Sequence, residues 1–196
     1  FISCKEKVKE EKNTTEAKTE VQGIADANYN ANTETSILNW KGFKPTGEHF
    51  GTVTVKSGSF TIKNSMIVNG EFQIDMSSIV VLDIPSDESS NAKLVRHLKS
   101  NDFFNAKNHP FATFKINSSE PNGSKTLVKG DLTIKNITHA VSFLADVTVD
   151  EETVILKSEN FEIDRLYLNN QGKFIKTSKQ ILTNPLNTSC VINYDY

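Results

Sequence analysis

From Tyr29 onward, apolar residues recur at alternate positions in short runs separated by turn residues, the pattern of half-buried β-strands. Ser36–Trp40 and Gly47–Ser57 read as strands flanking Lys41–Thr46, where Gly42 and Pro45 punctuate the chain. Phe60–Lys63 leads toward a longer run, Met66–Ser77. Its alternation predicts Met66, Val68, Phe72, Ile74 and Met76 on one face and Asn69, Glu71, Gln73 and Asp75 on the other, with Gly70 as a bulge or bend. Further strands are expected at Phe111–Asn117, Thr126–Asn136, Ala140–Asp150, Thr153–Lys157 and Phe161–Tyr167. Gly123, a turn over Asn136–His139 and Asp150–Glu151 are the breaks, and Gln180–Leu182 and Ser189–Tyr194 close the chain. One helix is predicted in this part, about Ala92–Ser100. Ser90 or Asn91 caps it, and Leu94, Val95 and Leu98 form its apolar stripe. Strands at this spacing with one helix indicate an all-β chain, a closed barrel or a sandwich. A barrel of about eight strands holds either packed side chains or one small ligand.

The texture before Tyr29 is different. Residues 5–28 are rich in Lys, Glu, Thr and Asn and poor in bulky apolar side chains, so burial cannot offset the entropy of ordering them. The expected organisation is a tether over 1–28 followed by a barrel domain over 29–196. Phe1-Ile2-Ser3-Cys4 before Lys5-Glu6-Lys7 looks like the end of a lipoprotein signal, which makes Cys4 the candidate lipidation site and implies membrane contact through an N-terminal lipid anchor. Two cysteines are too few for a four-cysteine zinc site.

Charge narrows the function classes. The 22 basic and 24 acidic residues leave a net charge of -2, which provides no field for holding phosphate backbones, so no nucleic-acid partner is expected. Twelve Phe among 196 residues is a high count for side chains without a polar handle. On alternating strands they fill a solid core or line an apolar pocket.

Four blocks of the chain resemble the YceI-like proteins of bacterial envelopes. They are Trp40-Lys41-Gly42 leading to Gly47-Glu48-His49-Phe50-Gly51; Gly58 through Gly70-Glu71-Phe72-Gln73-Ile74-Asp75-Met76-Ser77-Ser78-Ile79; Lys93 to Phe104 with His109-Pro110-Phe111-Ala112-Thr113-Phe114; and Val128 to Lys135 followed by Phe161-Glu162-Ile163-Asp164-Arg165. The His-Leu-x-Ser-x-Asp-Phe-Phe block at His97–Phe104 is the most specific, and the match spans about Ala31–Phe174. The resemblance implies an extended antiparallel lipocalin-like β-barrel with the short helix near its mouth and an elongated apolar lumen for a polyisoprenoid or similar amphiphile. It also makes a homodimer compatible with an exposed barrel edge. Leu166-Tyr167-Leu168-Asn169-Asn170 departs from the family pattern after Arg165, as does the last strand.

An isoprenoid needs a long apolar tube more than polar chemistry, because each methylene withdrawn from water is worth about 0.8 kcal/mol. Candidates for the wall are Phe60, Ile62, Phe72, Ile74, Met76, Phe114, Ile116, Leu132, Ile134, Val141, Phe143, Phe161 and Ile163, each of which can equally be ordinary core packing. His49 and Arg165 are candidates for a head group, since imidazole donates and accepts while guanidinium grips oxygen. No Gly-x-Ser-x-Gly elbow is present, and His49, His97, His109 and His139 are unpaired at i,i+2 or i,i+4, so no catalytic residue, metal site or cofactor is expected. The expected function is non-catalytic binding, storage or transport of a long-chain apolar ligand (polyisoprenoid, quinone or fatty amide) in the bacterial envelope, in the periplasm or at the outer membrane. The rivals are a solidly packed barrel serving as a protein-interaction module and an enzyme acting on a lipid head group. Cavity volume discriminates the carrier from the packed module, and a buried charged pair with a perturbed pKa beside the tube would favour the enzyme.

Overall fold

The computed structural model describes residues 26–44, 47–150, 153–163, 180–182 and 190–193. Cys4, the expected tether up to residue 25 and Arg165 lie outside these residues. The elements are β1 (Ala27–Ala31), β2 (Ile37–Lys44), β3 (Gly47–Lys63), β4 (Met66–Val81), α1 (Ser89–Lys99), β5 (Phe111–Asn122), β6 (Lys125–Ile134), β7 (Ile137–Asp150), β8 (Thr153–Ser158), β9 (Phe161–Ile163), β10 (Gln180–Leu182) and β11 (Cys190–Asn193). The first strand thus begins two residues inside the segment expected to be tether.

Strands β3 to β8 pair antiparallel in chain order. The ladder then passes from β8 to β11 and from β11 to β1. It returns to β3 where Ala27–Asn30 face Ile62–Ser59. This ring of β1, β3 to β8 and β11 is an antiparallel lipocalin-like barrel. Strand β2 occupies the rest of the same edge of β3, opposite Gly47–Thr54, and carries β10 and then β9.

Tight turns set the register. Asn64-Ser65 and Lys135-Asn136 all have positive φ, the two-residue pattern whose twist suits a hairpin, and Gly123 (φ 62°) serves the hairpin between β5 and β6. The expected turn over Asn136–His139 is therefore corrected, since Asn136 ends the turn and Ile137–His139 already belong to β7. The break expected after Ser57 is also absent. β3 runs straight through Gly58, where a Cβ would lie 2.3 Å from Cδ1 of Phe72, so the missing side chain is what lets that ring cross the strand.

Bulges explain the largest departure from simple alternation. Thr61 pairs with Asn69 but Ile62 pairs with Ile67, which leaves Val68 as an extra residue. The single-residue slip exchanges faces, as the period of two requires. Ile67 is consequently the buried member of Met66-Ile67-Val68, while Met66 is exposed, which corrects the expectation for Met66 and Val68. A second irregularity sets Asp75 opposite Thr54 and Val80 opposite Thr52, with Met76–Ile79 bulged between. The Ser78 hydroxyl stabilises it by donating to the Asp75 carbonyl and accepting from the Thr54 amide. Both Met76 and Ile79 are buried as a result.

The helix starts earlier than expected, with Glu88 at its N-cap, and no side chain caps it. Asn91 has a different task from capping. It is buried in the first turn, and its Nδ2 donates to the carbonyls of Val81 (3.1 Å) and Ile84 (2.7 Å), which fixes α1 to the end of β4. Leu98, Phe103 and Ala106 then pack over that end of the barrel.

The interior divides into two clusters. At the end that carries the hairpins 63–66 and 122–125, Tyr29, Phe60, Ile62, Ile67, Ile116, Val128 and Val154 are packed solidly. At the helix end, Val53, Met76, Ile79, Val81, Ala112, Leu132 and Ile134 meet the helix residues.

Candidate functional site

Between the solid end and the helix lies a cavity of about 160 Å³. β2 contributes Ile37 to Trp40, β3 Val53 and Val55, and β4 Phe72, Ile74, Met76 and Ile79. The opposite wall is Ala112 and Phe114 on β5, Leu132 and Ile134 on β6, Phe143 on β7, Leu156 and Ser158 on β8, Glu159, and Phe161 on β9. Phe104 reaches in from the loop after α1. Three rings form one side of this hollow. Phe143 stacks on Phe161 at 4.8 Å and 18°, and Phe114 tilts against Phe143 at 5.5 Å.

Only Asn39, Ser158 and Glu159 among these residues are polar, and the Glu159 carboxylate is drawn elsewhere. Lys125 Nζ holds it at 3.0 Å and Asp146 at 3.0 Å. Thr126 lies opposite the inward-facing Ala145, so Lys125 stands on the outer face and takes the carboxylate with it. Hydrogen bonds to Glu159 and Asp146 raise the pKa of Lys125, so this clamp stays charged through neutral pH. The hollow is thereby left apolar, a lining that excludes water and favours hydrocarbon.

The sequence-predicted wall residues fall into two groups. Phe72, Ile74, Met76, Phe114, Leu132, Ile134, Phe143 and Phe161 line the cavity. Phe60, Ile62 and Ile116 do not: at 1%, 1% and 0% exposure they fill the solid end, because the bulges in β3 and β4 bring Ile67 and Phe72 in against them. Val141 and Ile163 pack in the helix-end cluster behind the lining. The volume of the hollow is about that which accepts one benzene ring. Leu38, Trp40, Val53, Val55 and Leu156 were not anticipated, although they follow the same alternation as the Phe and Ile positions. Ile79 had no such signal, since a bulge delivers it, and Phe104, expected in the core after the helix, reaches the lining from its loop.

His49 stands apart from the lining. It is on the inward row of β3, Val53, Gly51, His49, one step beyond Gly51 toward the helix end. Its Nδ1 is 2.7 Å from Oδ2 of Asp83, whose Oδ1 accepts the Phe50 amide at 2.9 Å. Burial alone would raise the Asp83 carboxyl, but the Phe50 amide and the His49 ring together hold it below the usual carboxylate range. A carboxyl with a lowered folded pKa stabilises the fold above its unfolded pKa and loses that contribution as pH falls through the folded value. The stability gap between wild type and Asp83→Asn is therefore expected to be widest at neutral pH and to close below about pH 4, the ordinary Asp range. Urea unfolding at a series of pH values measures it, and a gap that does not depend on pH would refute the assignment. Among the described residues no three His, Cys, Asp or Glu side chains stand close enough to hold a metal ion.

An antiparallel barrel that returns on itself and encloses a hollow lined almost wholly by hydrocarbon defines a lipocalin-like protein. Residues 24–183 match the model of the YceI-like domain, and the chain belongs to that family. The UPF0312 protein plu2095 of Photorhabdus laumondii is 30% identical over 98 residues, 50% of this chain and 48% of that protein. Protein YceI of Escherichia coli O157:H7 is 33% identical over 66 residues, 34% of this chain and 35% of that one. The chain thus aligns with about half or less of the length of these relatives. Among solved structures, Burkholderia cenocepacia BcnA superposes with a TM-score of 0.60 at 19% identity, over 84% of this chain and 99% of that one. A polyisoprenoid binding domain from Saccharophagus degradans superposes with a TM-score of 0.50 at 12% identity, over 73% and 80%. At these identities the two structures show the shared fold.

Proposed function

We propose that this protein binds a long-chain, lipid-like ligand without acting on it chemically, as a storage or transport protein of the cell envelope. The cavity between Phe72, Phe114, Phe143 and Leu132 carries this reading: it is apolar, enclosed by β-strands, and close to one ring or branched five-carbon unit in size. The polyisoprenoid binding domain of Saccharophagus degradans, which shares the fold, supports the same class of ligand. Burying even one such unit is worth several kcal/mol at about 0.8 kcal/mol per methylene. The rest of a long chain is expected to leave toward the helix end, since the other end is filled by Phe60, Ile62 and Ile116. An interaction module needs no such hollow. Anchoring through Cys4, on the periplasmic side or at the outer membrane, would hold the carrier near its ligand's source.

Native mass spectrometry, followed by organic extraction and lipid identification, tests this reading. The expected result is one bound species of defined mass. Ala112→Phe provides the control, since Ala112 lines the cavity and its side chain can grow into it. That variant is expected to lose the ligand at least tenfold in affinity while its melting temperature stays within a few degrees of wild type, since the added ring fills space already there. A chain that carries no lipid and ignores added C15 and C20 isoprenoids would overturn the proposal.

A further inference from the structure

His49 and Asp83 form a polar pair at the helix end of the barrel, opposite the end filled by Phe60, Ile62 and Ile116. On β3 the inward row runs from Phe60 in the solid end through Val55 and Val53, which line the cavity, to Gly51 and then His49. Gly51 adds no side chain to that row. The Trp40 ring lies over it, with its Nε1 donating to the Val80 carbonyl at 3.2 Å. A ligand whose tail fills the hollow and whose chain runs on past the Trp40 indole presents its polar end to the course of residues that His49 and Asp83 occupy.

The hydrogen bonds define what that end can be. Both oxygens of Asp83 are engaged, one by the Phe50 amide and one by His49 Nδ1. An ionised carboxylate only accepts, so the ring proton belongs on Nδ1. In the neutral ring, Nε2 is then an acceptor, and among the described residues it has no protein partner. The nearby charged pair, Lys41 with Glu48 at 2.7 Å, lies on the opposite face of the strands. The pair at the rim carries the Asp83 charge, which disfavours an anion beside it.

We propose that His49 Nε2, oriented by Asp83, receives the head group of the bound lipid, and that it selects heads which donate a hydrogen bond (an alcohol or an amide N–H) over phosphates and over heads that only accept. This rests on the lipid-binding reading above and adds the chemical class of the ligand. It also assigns Asp83 a positioning role that had no signal in the sequence.

The test uses the full chain with geranylgeraniol, its methyl ether and geranylgeranyl phosphate as probes of identical tail. Wild type is expected to bind the alcohol at least tenfold more tightly than the ether or the phosphate. Asp83→Asn is the decisive variant. Its amide oxygen can still accept the Phe50 N–H while its NH₂ donates to Nδ1, which moves the ring proton to Nε2. The preference for the alcohol over the ether is then expected to disappear, because both oxygens can accept from Nε2–H, with the tail still bound. ¹⁵N chemical shifts of His49 report the same exchange directly, with Nδ1 protonated in wild type and Nε2 in the variant. Equal affinities of wild type for all three probes, or an unchanged preference in Asp83→Asn despite the tautomer exchange, would overturn the head-group assignment and leave lipid binding intact. A failure of all three probes to bind would overturn both.

Discussion

Phe60→Ala is expected to lower the unfolding free energy by about 3–5 kcal/mol, a large part of the 5–15 kcal/mol that holds a typical domain. The ring is 1% exposed, stacks on Tyr29 at 5.5 Å and tilts against Phe72 at 6.3 Å. Truncation removes the transfer energy of the ring and leaves a hole bounded by Ile62, Ile67 and Ile116, none of which can collapse into it without disturbing the bulge at Val68. Urea unfolding with an unchanged dependence on denaturant would report it as a loss of stability alone. The same substitution at Phe161 touches a ring that lies on the cavity wall and is only half-buried, so its cost is expected to be smaller and to fall on ligand affinity instead. A Phe60→Ala protein as stable as wild type would mean that the solid end is not solid, and the lumen would then be longer than the hollow seen here.

The division of labour between these two phenylalanines was not legible in the sequence, and the reason is geometric. Alternation identifies which positions face inward but not how far along the barrel the space inside is already filled. Phe60 and Phe72 carry the same pattern, yet the Val68 bulge moves Ile67 inward beside Phe60, while the Met76–Ile79 bulge opens β4 around the hollow. Bulges are written in hydrogen bonds such as Ser78 to Asp75 and Thr54, which the hydrophobic pattern does not record. Strand existence was far easier to read, since Gly123, Asn136 and the period of two along Phe111–Asn117 or Thr153–Lys157 all act locally. The helix stripe Leu94, Val95, Leu98 was legible for the same reason. Asn91 was misread as a cap because capping is its commonest task near a helix start, and only the tertiary position of the Val81 and Ile84 carbonyls explains its burial.

Gly51→Ala is expected to cost about 3 kcal/mol and to disturb the cavity wall as well. An added Cβ would lie 1.9 Å from the Val80 carbonyl oxygen and 2.9 Å from Cζ2 of Trp40. The first contact is with backbone, so the pairing of Gly51 with Val81 must open. The second pushes the indole off its seat and loosens its bond to the Val80 carbonyl, which is worth about 1 kcal/mol. Trp40 is the only tryptophan of the chain, so its fluorescence reads this one site. A lower melting temperature together with red-shifted emission is the expected result, and the change in emission expected when lipid fills the wild-type hollow should be lost. Trp40→Phe separates the two causes. It removes the hydrogen bond without adding the backbone clash, so it should cost only about 1 kcal/mol. If Gly51→Ala melts with wild type and keeps its emission, the indole does not rest on Gly51, and the route from the hollow to His49 is open without it.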